Sequence, residues 1–167
     1  QEDIAKELLD EFNKRVLELS PLKETSEILQ YFKDAELYEF LDQSNTKDER
    51  EIYKSLPEDS WLQKHRYPFF KVFEAHDPLF ETLVEEVPLD QWAWVVNQCD
   101  RMECERLFQF LSPKQKFMVN DFRSRIKNPA SGSEKALWSK KQIVDHLQWV
   151  EKRMENSQIN PGEALVS

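Results

Sequence analysis

The stretch Leu41-Asp42-Gln43-Ser44-Asn45-Thr46-Lys47-Asp48-Glu49-Arg50-Glu51-Ile52-Tyr53-Lys54-Ser55-Leu56 falls into register with Val96-Asn97-Gln98-Cys99-Asp100-Arg101-Met102-Glu103-Cys104-Glu105-Arg106-Leu107-Phe108-Gln109-Phe110-Leu111 on a shift of 55 residues. Leu41, Ile52, Tyr53 and Leu56 land on Val96, Leu107, Phe108 and Leu111, while Gln43 lands on Gln98 and Asp48 on Glu103. Upstream, Ile28, Leu29 and Phe32 fall on Leu83, Val84 and Val87. A repeat that keeps apolar spacing while its surface letters change copies a packing unit, and stacked helical units present surfaces more readily than they enclose reactants.

Composition points the same way. Tight hairpins and phosphate-cradling loops both lean on glycine, and this chain of 167 residues has 2. Apolar residues recur instead at three- and four-residue spacing, which predicts an all-α chain. Lys and Arg total 23 against 32 for Asp and Glu, a formal charge of -9 that opposes the counterion-release term in nucleic-acid affinity, so no nucleic-acid partner is expected. No apolar run nears the ~18 residues of a membrane span, and no charged-then-apolar leader opens the sequence, so it reads as soluble and cytosolic. Cys99 and Cys104 match no metal or redox spacing and are expected as free thiols.

Along the chain, Ile4, Leu8, Phe12 and Val16 form an apolar stripe on a helix over residues 3–19, read as an N-terminal linker or docking helix. Ser20-Pro21 opens a helix carrying Leu22, Ile28, Leu29 and Phe32; Leu37, Phe40 and Leu41 mark a short third. Thr46 and Glu49 have capping-box spacing ahead of Ile52, Tyr53 and Leu56, and a further helix covers residues 57–67. Tyr67-Pro68-Phe69-Phe70-Lys71-Val72-Phe73 then breaks the rhythm, because the proline disfavours helix at Tyr67 and three phenylalanines crowd together. That segment is the expected joint. The second unit restarts at Asp77-Pro78, restarts again at Asp100 with Glu103 in capping-box spacing, and again at Ser112-Pro113 for a helix to about Lys127. Residues 128–133 read as a loop. The last helix, from Glu134 to about Asn156, turns Leu137, Val144, Leu147 and Met154 to one side, and a frayed tail follows.

The helix from Pro113 to Lys127 is the leading functional candidate. Met118, Val119, Phe122 and Ile126 form its core-facing sector, flanked by Lys114, Asp121 and Arg125 on one side and Lys116, Arg123 and Lys127 on the other. An exposed Asp121–Arg125 pair is worth only about 0.2–0.5 kcal/mol, so stability is a weak reason for the pattern. A solvated face and a charge-reading interface both fit it. His65, His76 and His146 share no ligand spacing with one another or with the cysteines, and His76-Asp77 reads as helix capping. No metal, cofactor or enzymatic activity is expected, nor a deep polar pocket gathering a histidine and two carboxylates. Trp92 is assigned to the core; Trp94, Trp138 and Trp149 fit either a core or a partner's surface.

The order of these segments resembles the C-terminal half of the flagellar motor switch protein FliG, over about residues 20–159. Pro21-Leu22-Lys23-Glu24-Thr25-Ser26-Glu27-Ile28-Leu29-Gln30-Tyr31-Phe32 is similar to the opening of that family's C-terminal armadillo-like unit. Phe69-Phe70-Lys71-Val72-Phe73-Glu74 sits where the family carries a Met-Phe-x-Phe hinge, with one inserted residue and phenylalanine for methionine. Glu105 to Lys114 is similar to the stretch leading into its charged torque helix. The resemblance implies two right-handed armadillo-like subdomains, residues 20–67 and 75–159, joined by a hinge over 68–74 with Phe69, Phe70 and Phe73 at its centre. It implies a rotor component, with Lys114 and Asp121 facing a stator cytoplasmic loop and Arg125 beside them by helical geometry. Other switch-complex proteins and neighbouring FliG-like subunits would be further partners. It implies a place in the cytoplasm, peripheral to the membrane at the flagellar basal body. Asn97, Phe122 and Gly132 stand where the family has lysine, aspartate and arginine, a departure that puts torque generation in question and leaves, as the alternative, a divergent paralogue serving as a helical adaptor. The middle unit onto which the first subdomain would dock is missing, so Ile28, Leu29, Phe32, Leu37 and Leu41 are expected either to expose an apolar docking face or to drive self-association.

Overall fold

Both copies of the repeated stretch fold as helix, cap, helix. A computed structural model of the chain describes residue 10 and residues 33–127 and 133–159. In the first copy α1 (Asp34–Gln43) leads through Asn45 into α2 (Thr46–Ser55); in the second α5 (Leu89–Val96) leads through Asp100 into α6 (Arg101–Gln109). The two caps are 55 residues apart, matching the register of the sequence repeat. Between the copies lie α3 (Trp61–His65), a 3-10 helix (Phe69–Glu74) and α4 (Asp77–Glu86); α7 (Pro113–Arg125) and α8 (Glu134–Ile159) follow. There is no strand among the described residues, and none of their helices is long and apolar enough to cross a membrane. The expected linker helix, the helix opening at Pro21 with Ile28, Leu29 and Phe32, most of the loop before Ser133 and the tail lie outside the described residues.

Local chemistry sets the helix ends. Asp100 accepts from Glu103 N while the Glu103 carboxylate accepts from Asp100 N, the reciprocal arrangement expected there. His76 caps α4, also as expected. At α2 the cap is Asn45, which accepts from Asp48 N at 2.8 Å; Thr46 is the first helical residue, buried, and Glu49 turns inward. The expected Thr46–Glu49 box is thereby corrected: Asn45 is the better acceptor at that point, and Glu49 is claimed by the interior. The helix expected over 57–67 contracts to α3, because Ser60 caps it and Pro68 stops it.

Two apolar clusters result. The larger gathers Phe80, Leu83, Trp92, Val95, Leu107, Val119, Ile143 and Leu147 around Phe69, Val72 and Phe73; the smaller gathers Leu37, Phe40, Leu41, Ile52, Tyr53 and Leu62 around Phe70. α8 lies against α4, α5 and the 3-10 helix, while α7 packs on α5. The buried stripe of α8 is Ala136, Ile143, Leu147 and Val150, with Leu137, Val144 and Met154 at its half-buried margins, so the expected stripe was centred too far to one side. Leu37 and Leu41 are buried inside the smaller cluster and offer no docking face, a correction with a simple cause: α2 and α3 of the same chain already cover them.

A polar layer separates and ties the clusters. Glu49 Oε1 accepts from Phe70 N at 2.8 Å, and its Oε2 stands 2.9 Å from Arg66 Nη2, close enough for an ion pair though not aligned as a hydrogen bond. Arg66 also donates to Asp42 at 2.9 Å and to the Tyr53 hydroxyl at 3.1 Å. Across the two copies Thr46 N donates to Gln98 O at 3.0 Å, the Thr46 hydroxyl donates to the Glu103 carboxylate, and Arg50 bridges Asp100 and Glu103. Burial alone would lower the Arg66 pKa, but the charges of Glu49, Tyr53 and Asp42 outweigh it and raise the value, keeping the guanidinium charged.

Glu49→Ala is expected to cost about 3 kcal/mol in chemical denaturation, since it takes the buried counter-charge from Arg66, leaving the half-exposed Asp42, and leaves the Phe70 amide without its acceptor. Glu49→Gln keeps an acceptor for that amide and should cost measurably less.

Candidate functional site

The charged helix α7 is held from beneath and open above. Ser112 and Gln115 cap each other reciprocally at 3.1 and 2.8 Å, with Pro113 in the first turn. Val119 is buried in the larger cluster, and Phe122 and Ile126 lean on it half-buried. Arg123 Nη2 donates to Asn97 Oδ1 at 2.7 Å, fastening the helix flank to the end of α5. Lys114 is exposed, with no partner among the described residues, and Arg125 pairs with Asp121 at 2.9 Å.

At about 100° per residue, Lys114, Asp121 and Arg125 share the outward face with two apolar side chains. Phe117 is 71% exposed and Met118 36%. Met118 was expected in the core sector; the buried strip is centred on Val119, Phe122 and Ile126, and Met118, about 60–100° from it around the helix, falls at the exposed margin. Phe117 is the residue sequence reasoning missed. The available signal was a phenylalanine among charged positions, off the apolar sector.

Phe69, Phe70 and Phe73, the residues expected at a hinge, are all buried. Phe70 meets Tyr53 edge-on at 5.7 Å in the smaller cluster, while Phe73 packs on Phe80 and Trp92 in the larger. Arg106 closes the end of this segment, donating to Phe73 O, Ala75 O and Asp77, with its guanidinium 4.4 Å from the Phe80 ring centre.

A cleft of about 530 Å³ opens between α1, α3 and α8, and it brings His65, Asp42 and Asp145 to one lining, contrary to expectation. The repeat pattern could not foretell this, because α8 supplies one wall. Several of the cleft's lining groups are engaged. Asp42 is held by Arg66, His65 stacks on Trp61 at 5.1 Å between centroids, and buried Lys140 donates to Asp42 O at 3.0 Å and Ser44 O at 2.8 Å. Lys140 thus satisfies carbonyls at the C-terminal end of α1 from 98 residues away. Burial drives its pKa down to about 8, partly resisted by Glu49.

Trp92 is in the core, as expected. Trp94 lies beneath Lys135 Nζ at 5.4 Å, Trp149 beside Arg153 at 4.6 Å, and Trp138 on the cleft wall, 54% exposed. Glu86 receives Arg153 at 2.6 Å and His146 at 3.0 Å, and those hydrogen bonds, Arg153 foremost, lower its pKa. Cys99 and Cys104 are free thiols; burial raises both, Cys99 strongly. Among the described residues no three His, Cys, Asp or Glu side chains are arranged to hold a metal ion. Comparison of the chain with protein-family models, with curated proteins and with solved structures returned no match.

The Lys140 ammonium gives a pH test. Unfolded, its pKa is ~10.4, so between pH 8 and 10 the unfolded chain binds more protons and the stability owed to this group rises with pH. Relative to Lys140→Met, the wild-type chain should gain roughly 2–3 kcal/mol in unfolding free energy from pH 7 to pH 10. A pH-independent difference would remove Lys140 as the cause.

Proposed function

We propose that the chain is a non-catalytic helical docking module whose contact face is the outer surface of α7. The observation carrying this reading is Phe117, 71% exposed on a helix firmly anchored on its other side, with Lys114, Asp121 and Arg125 lying between it and the exposed Met118. Single exposed apolar residues are ordinary on protein surfaces. Two apolar side chains flanking a stripe of opposite charges on a rigid helix have instead the make-up of an interface: anchors to be desolvated and charges that set register. Commitment of the cleft's Asp42, Arg66 and Lys140 to structural bonds further favours docking over catalysis.

A narrower form of the reading rests on the resemblance to the C-terminal half of FliG. In that form the chain is a rotor-like component, or a divergent paralogue acting as an adaptor, built of two armadillo-like units. It works in the cytoplasm at the flagellar basal body, where Lys114 and Asp121 meet a stator cytoplasmic loop. The recurrence of helix, cap and helix at 55 residues supports the two units, and the division of Phe69, Phe70 and Phe73 between two clusters supports their role as a hinge. Reorientation about that hinge would have to release the Thr46–Gln98 and Arg50–Asp100 ties and the hold of Lys140 on α1. Those ties make it a two-state change, not a continuous one.

Phe117→Ala and the paired reversal Lys114→Glu with Asp121→Lys should each weaken partner capture tenfold or more, about 1.4 kcal/mol, with thermal unfolding nearly unchanged. Pull-down with a stator cytoplasmic loop separates the two forms. Loss of capture in the reversal supports the rotor reading, no capture by any variant confines the proposal to an adaptor, and partner binding indifferent to both variants overturns the α7 face itself.

A further inference from the structure

A second surface, on the other unit, has a different chemistry. Asp34, Ala35, Tyr38, Glu39 and Asp42 recur at helical spacing along the side of α1 away from its buried Leu37, Phe40 and Leu41, and with Trp61 of α3 they line a groove of about 540 Å³. We propose that this groove receives a basic side chain, lysine or arginine, presented by a partner peptide.

Three features of the groove select that ligand. Its walls include two accessible aromatic rings, Tyr38 and Trp61, whose centroids are 6.2 Å apart and whose planes are inclined by 53°, with Trp61 47% exposed. A cation is attracted to such ring faces while its aliphatic stem packs on them. Its charged groups are all carboxylates, and those of Asp34 and Glu39 have no partner among the described residues. The chain itself shows the chemistry working: the Arg66 guanidinium lies 5.5 Å from the Tyr38 ring centre and 2.9 Å from Asp42, so carboxylate and ring at this corner already hold one cation from within. A peptide is favoured over a small ammonium ion because the groove shares Tyr38 and Asp42 with the cleft beside Trp138, which extends the surface along α1 for neighbouring residues. Nucleic acid and anionic membrane are disfavoured by the same carboxylates and by the net charge of -9.

The test uses the full chain with ¹⁵N-labelled tryptophan and synthetic peptides of about twelve residues, Gly/Ser-rich with one central Arg, Lys, Gln or Glu. The Arg and Lys peptides should shift the Trp61 indole resonance saturably and leave that of Trp92 in place. Their affinity should fall about fivefold or more in Asp34→Asn/Glu39→Gln, and again when salt is raised from about 0.05 to 0.5 M. Phe117→Ala should leave it unchanged, so this site and the α7 face fail independently. Equal binding of the Gln or Glu peptide, or full affinity in the double variant, overturns the proposal. So does a Trp61 resonance that no peptide moves, or one that moves with protein concentration alone, which assigns the groove to another part of this chain or to a second copy.

Discussion

One buried carboxylate holds the architecture together. Glu49, 1% exposed, takes the backbone amide of Phe70 on one oxygen and the Arg66 charge on the other, so α2, the start of the 3-10 helix and the segment after α3 converge on it. A carboxylate so placed is costly to desolvate and tolerable only because those partners are fixed around it. Arg66 in turn needs Asp42 and Tyr53, and Asp42 and Ser44 lend their carbonyls to Lys140 from α8. Removing Arg66 leaves the Glu49 carboxylate buried without its counter-charge, and removing Glu49 leaves Arg66 only the half-exposed Asp42 as an ionic partner among the described residues. The network therefore specifies one arrangement of its elements more than it adds raw stability.

That network also explains why the molecule has two apolar clusters in place of one. Phe70 points into the smaller and Phe69 and Phe73 into the larger, so a six-residue 3-10 helix serves both. Its far end is closed by Arg106, which binds the last carbonyls and lies over Phe80. Surfaces left over are then unequal in kind. The outer face of α7 shows a mixed-charge stripe flanked by Phe117 and Met118, while α1 shows aromatic rings among carboxylates. Both sit on helices whose inner faces are anchored, which is the condition for presenting side chains without paying to order them at contact.

Much of this was legible in the sequence. The 55-residue register, the Asp100–Glu103 and Ser112-Pro113 starts, the break at Pro68 and the burial of Trp92 and Val119 all follow from spacing, cap chemistry and ring restriction within a few residues. Where sequence reasoning erred, a distant element decided. Glu49 looked like a local capping residue and was drawn inward by Phe70 and Arg66, 21 and 17 positions away in sequence. Leu37 and Leu41 looked free for a partner and were covered by α2 and α3. Met118 looked internal, and the larger cluster took Val119, Phe122 and Ile126 and left it outside.

By itself, then, the sequence determined the helical class, the duplicated helix-cap-helix unit and the helix starts at Asp77, Arg101 and Pro113, because periodicity and capping act over three or four residues. Only the tertiary structure decided which charges are buried and paired, that Lys140 reaches the end of α1, that a cleft opens beside α8, and that Phe117 stands in solvent. Those outcomes depend on contacts between residues tens of positions apart, for which local spacing carries no information.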